Sequence, residues 1–107
     1  MSAEMVVVPS RNGVPIRLTE ERWQHILYRH REMNTQQVRV LETVAAPDTI
    51  QQGQLGEFLA ARFYPETPLT CKFLVVVYRE VSLNDGFVLT AYLTSRLAAR
   101  RTVVWKR

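Results

Sequence analysis

The sequence predicts an α+β fold, with two N-terminal helices packed on one face of a small antiparallel β-meander of three to four strands. One domain over 1–107 is expected. Three observations carry this. Helix start and stop signals cluster between about residues 19 and 47. From about residue 55 the pattern changes to runs of branched and aromatic residues at strand length. Those runs follow the helices instead of alternating with them, the order that places helices on one face of an antiparallel sheet. A chain of 107 residues also suffices for one modest hydrophobic core.

Taken in order, "VPIRLT" at 14–19 reads as a short strand ending at a helix start. Thr19 is the expected N-cap, with Glu20 and Glu21 complementing the positive helix end. Leu18 and Trp23 are spaced as a hydrophobic staple, and a first helix is expected over about 19–33. Asn34 is then the expected cap of a second helix, with Gln37 at its third position and Met33 and Val38 as a second staple. Pro47 closes it, because the residue before a proline is pushed away from helical angles. "LGEFLAARFY", "LTCKFLVVVYREV" and "GFVLTAYLTS" are the three strands, separated by "PETP" and by Asn84-Asp85-Gly86. The latter is a hairpin signal, since Asn and Gly accept positive φ. "RTVVWK" at 101–106 is a fourth, weaker strand.

Side chains alternate along a strand, which assigns the faces. Phe87, Leu89, Ala91 and Leu93 are expected in the core, with Val88, Thr90, Tyr92, Thr94 and Arg96 opposite. Leu59, Ala61 and Phe63 are expected under the helices, leaving Phe58, Arg62 and Tyr64 on the open face, joined by Lys72 and Tyr78. An aromatic and cationic sheet surface suits unpaired RNA, whose bases stack on rings while cations hold phosphates.

Composition narrows the function classes. The longest apolar runs, "MVVVP" and "FLVVVY", are far below the roughly 20 residues that span a bilayer, so no membrane partner is expected. "MSAEM" lacks the basic and apolar regions of a signal peptide, which makes the cytoplasm the expected location. Cys71 is the only cysteine; it allows no internal disulfide and reads as a buried structural thiol. The net charge is +4, and 96–107 hold Arg96, Arg100, Arg101, Lys106 and Arg107 without an acid. Such clustering is the footprint of a polyanion partner.

Both histidines fall in "ERWQHILYRHREM". At about 100° per residue, His30 joins the apolar stripe of Trp23, Ile26, Leu27 and Met33, whereas His25 lies near Glu21, Tyr28 and Glu32. The two rings are roughly 140° apart around the axis. They cannot share a proton or a metal, and no metal or other cofactor is expected. His30, a polar ring within an apolar stripe, needs a polar partner opposite it. It is either a satisfied core histidine or an acid/base group, with Arg29 and Arg31 flanking it.

"LTEERWQHILYRHREM", a second helix ending "LETVAAPDTI", and "FLVVVYREVSLNDGFVLTAYLT" together resemble the phage- and toxin-associated nuclease-like families of the BECR superfamily, which includes barnase, EndoU, tRNA-cleaving colicins and RelE toxins. The similarity covers about residues 16–95, and Arg31 stands where proline is common. The resemblance implies metal-independent RNA cleavage by attack of a 2′-hydroxyl, in some members as a toxin. Carried onto this chain, it makes His30 the acid/base group and His25 a second one. Thr90 and Tyr92 of "TAY" become substrate or transition-state contacts, and Arg29 or Lys72 phosphate clamps. Arg62 and Arg96 join them as substrate-binding cations from the open face. RNA is the expected partner, with an antitoxin or other protein and a second copy of the chain as further ones. The competing expectation is a non-catalytic module that binds RNA or protein on the same scaffold.

Overall fold

The computed structural model describes residues 5–70 and 72–107. The chain runs β1 (Met5–Pro9), β2 (Pro15–Thr19), α1 (Glu20–Arg29), a 3₁₀ turn (Arg31–Thr35), α2 (Gln37–Ala45), β3 (Thr49–Gln52), β4 (Phe58–Phe63), β5 (Phe73–Ser82), β6 (Asp85–Thr94) and β7 (Val103–Lys106). The expectation for Cys71 lies outside the described residues.

Helices on a meander of three to four strands is overturned. The described residues form one seven-stranded mixed sheet in the order β1-β2-β6-β5-β4-β3-β7. β2 enters it parallel to β6 through Ile16–Gly86 and Arg17–Phe87, while the other pairs are antiparallel. "RTVVWK" does supply a strand, but β7 pairs with β3 and not with the end of a meander. β1 and β3 were unforeseen. β3 is "TIQQ", with one apolar residue, and it exists because β4 and β7 hydrogen-bond to its two sides.

Local signals at the first helix hold. Thr19 accepts from the Arg22 N–H at 3.0 Å, and Leu18 and Trp23 are both buried in the main core. The helix is shorter than expected, however. His30 leaves helical angles at φ −137° and ψ 79°, and the 3₁₀ turn follows. Asn34 therefore caps nothing: α2 begins after Gln36, with no side-chain cap, and Val38 is exposed while Met33 is buried. At the far end Ala46, φ −140°, releases the chain before Pro47 as anticipated.

The face assignment is inverted on β4 and broken on β6. Ile50, Ala60, Val76 and Ala91 form one cross-strand row inside the helix-side core. Phe58, Tyr64 and Tyr78 belong to that side, and Leu59, Ala61 and Val75 form a separate cluster on the other. On β6 the register slips: Val77 faces Thr90 and Tyr78 faces Val88, leaving Leu89 unpaired as a bulge. The extra residue switches parity, so Val88 and Gly86 join Ala91 and Leu93 on the buried side. The Arg22 guanidinium donates to the Leu89 carbonyl at 3.2 Å, satisfying an acceptor at the break in the ladder.

The sheet also coils. Arg11, in the β1–β2 loop, lies 4.8 Å from the Trp105 ring centroid on β7, so the two ends of the strand order approach each other around the helices. No helix among the described residues is long and apolar enough to cross a membrane.

Candidate nucleic-acid site

The face turned away from the helices presents three cross-strand rows: Leu59–Val77–Thr90, Ala61–Val75–Tyr92 and Phe63–Phe73–Thr94. The segment after β6 folds back over it. Gln51 Nε2 donates to the Ala98 carbonyl at 2.8 Å, and the Gln52 N–H donates to the Thr102 carbonyl at 2.8 Å. At its start, the Thr94 hydroxyl donates to the Arg96 carbonyl at 2.9 Å and accepts from the Arg96 N–H at 3.3 Å. Leu97 packs on the Leu59–Ala61–Val75 cluster. These ties enclose a cavity of about 310 Å³ with Leu59 and Val75 on its apolar side and Gln51, Tyr92, Arg96 and Arg101 as polar lining.

Burial desolvates the Tyr92 phenol and raises its pKa, with the Arg101 charge acting in the opposite sense. Tyr92 is therefore a neutral hydroxyl donor at ordinary pH. A cavity combining that donor with two guanidinium groups can bind an anionic oxygen and hand it a hydrogen bond.

His30, at the end of α1, stands beside Tyr92. β2 pairs with β6 only at Gly86 and Phe87, so the stretch of β6 around Tyr92 is not covered by β2. α1 and the 3₁₀ turn both pack against β6. The His30 N–H closes the helix on the Ile26 carbonyl at 2.7 Å, and its ring centroid lies 6.0 Å from that of Tyr92. Its side chain is about one-third exposed, at 34%. Glu32 Oε2 sits 3.7 Å from His30 Nδ1, which leaves Nε2 as the nitrogen for a substrate.

Of the residues expected to act, Tyr92 and Arg96 line the cavity, and His30 stands outside its lining with its ring beside that of Tyr92. Thr90 shares the Tyr92 face but does not line the cavity. His25 is exposed and borders a different groove with Thr19, Glu21 and Arg22. Arg29 and Lys72 are exposed and outside the cavity. Arg62 lies on the helix side: it donates to the Ala46 carbonyl at 2.8 Å and stands 5.7 Å from the Tyr64 ring centroid. Gln51 and Arg101 were missed as site residues. Arg101 was visible in the acid-free basic segment, whereas Gln51 gave no signal because β3 itself was unseen. Among the described residues no three His, Cys, Asp or Glu side chains group as metal ligands. Comparison of the chain with protein-family models, with curated proteins and with solved structures finds no match.

Proposed function

We propose that the chain is a metal-independent endoribonuclease whose cleft lies between the outer sheet face and the segment after β6. The observation that carries the reading is His30 standing 6.0 Å from Tyr92, ring to ring, beside a cavity lined by Arg96 and Arg101. His30 Nε2 takes the proton of a ribose 2′-hydroxyl. The freed O2′ bonds to the adjacent phosphorus, the P–O5′ bond breaks, and O5′ receives a proton from the Tyr92 hydroxyl; solvent then returns a proton to Tyr92 and takes one from His30. Arg96 and Arg101 hold the phosphoryl oxygens, whose charge grows as the O2′–P bond forms. The products are a 2′,3′-cyclic phosphate and a free 5′-hydroxyl.

Acid or base help of this kind is worth on the order of 10²–10⁴-fold. Incubation of the protein with mixed RNA in excess EDTA should give cyclic-phosphate ends, and His30→Ala should lower the rate by at least about 10²-fold. RNA left intact by wild type at high protein concentration removes the enzymatic reading. RNA bound but uncut identifies a binding module on the same cleft. Growth arrest on expression, relieved by His30→Ala, is the corresponding readout in cells.

A further inference from the structure

Beyond the cavity, the outer face carries an aromatic pair that the proposed cleavage step does not use. Phe63 on β4 and Phe73 on β5 are directly paired, with ring centroids 5.5 Å apart in an edge-on arrangement. Phe63 is 47% exposed, although it sits in a strand whose Leu59 and Ala61, on the same face, are buried. The pair continues in register to Thr94, the residue whose hydroxyl fixes the backbone of Arg96. One row along is Val75–Tyr92, which lines the cavity, about 6–7 Å away at two residues of strand rise. No acidic residue occurs in the three rows. Asp48, which accepts from the Phe63 N–H at 2.9 Å, is paired with Arg107 at 3.0 Å.

We infer that Phe63 and Phe73 form a stacking platform for one unpaired nucleobase of an RNA strand whose neighbouring phosphate lies on Arg96 and Arg101. The inference rests on the nuclease cleft described above and names its substrate as single-stranded RNA, because a base held in a duplex cannot lie against a ring. An exposed aromatic surface adjoining cations is the arrangement that binds single strands, with the rings taking bases and the cations the backbone. Ring faces accept any base, so the platform sets strandedness and register more than sequence. Phosphate contacts at Arg96 and Arg101 then make affinity fall with salt.

The test uses the full chain and a single-stranded RNA hexamer made uncleavable by 2′-O-methyl groups, with 2-aminopurine placed at one position at a time. Emission at one position should be quenched on binding. Phe63→Leu should abolish that quenching and weaken binding on the order of tenfold, whereas Phe63→Tyr should retain both. Arg96→Gln should lower the salt slope of affinity while leaving quenching at saturation intact. If the hexamer binds in a salt-dependent way and Phe63→Leu matches wild type, the platform is overturned and the cleft stands. If Phe63→Leu alters only sedimentation of the protein with itself, the platform is likewise overturned. Absence of any binding removes both. Normal stacking with no cleavage of unmodified RNA removes the nuclease reading and leaves the platform.

Discussion

Burial sets the proton affinity of three tyrosines and, through them, the alkaline limit of the fold. Tyr64 is pushed up to about 12, first by burial and then by its 2.5 Å hydrogen bond to Glu42, and burial raises Tyr78 and Tyr92 as well. In the unfolded chain a phenol deprotonates near pH 10. Above that point the unfolded state has released protons that the native state still holds, so stability is complete below about pH 10 and is lost as pH rises toward about 12. Melting temperature should fall above about pH 10, and Tyr64→Phe should flatten the fall. A wild-type melting temperature that stays level to about pH 11.5 contradicts this. Tyr78 permits a separate test at neutral pH. Its hydroxyl is buried with no hydrogen-bond partner among the described residues, and its ring packs 5.7 Å from that of Phe58. Tyr78→Phe keeps the ring and removes the unmet polar group, so it should stabilise by about 1 kcal/mol. The readout is a higher urea midpoint at unchanged slope.

Among the elements, the β5–β6 hairpin shows which sequence signals were readable and which were not. Asn84-Asp85-Gly86 does mark its turn, but for a different reason than positive φ. Gly86 lies within β6 without positive φ, opposite Glu80 and beside Ile16 of β2. A Cβ there would stand 2.5 Å from Ile16 Cδ1 and 2.6 Å from the Arg79 carbonyl oxygen. The glycine is what lets β2 dock parallel to β6. Gly86→Ala should cost about 1–3 kcal/mol in chemical denaturation, because a backbone carbonyl cannot step aside as a side chain can. Signals confined to a few neighbouring residues, such as the Thr19 cap and Pro47, were legible. The Leu89 bulge was not: strict alternation cannot reveal where a partner strand slips by one residue, and that slip is what misplaced Phe87 and Val88. The site divides the same way. His30, Tyr92 and Arg96 were named as candidates from the sequence, and the structure sets the His30 and Tyr92 rings 6.0 Å apart and lines one cavity with Tyr92 and Arg96. The placement of Gln51 depends on β3, held between β4 and the distant β7, and that of Arg101 on the fold-back after β6, tied to Gln51 from 47 residues away.

At the scale of the whole molecule, the two sheet edges are treated differently, and charge decides what each can do. β7 at one edge ends in Lys106, is followed by Arg107 and preceded by Arg101, cations that discourage another strand from pairing there. β1 at the other edge is "MVVVP", without a charge, and Met5, Val6 and Val7 are 55%, 38% and 47% exposed. An uncharged, apolar edge with unpaired backbone groups is a template for strand addition. A net charge of +4 opposes the approach of a second copy, and salt screens that repulsion. Self-association through β1 should therefore strengthen as salt rises, whereas RNA affinity should weaken, with a slope of about −0.7 per phosphate contact on a single strand. Sedimentation equilibrium at low and high salt separates self-association from RNA binding. Val7→Lys should abolish the salt-promoted association and leave RNA binding at wild-type strength, since Val7 does not line the cavity. If Val7→Lys associates as wild type does, the copies meet at another surface. If it loses RNA affinity as well, the edge and the cleft are energetically linked through the coiled sheet that brings the β1–β2 loop to Trp105.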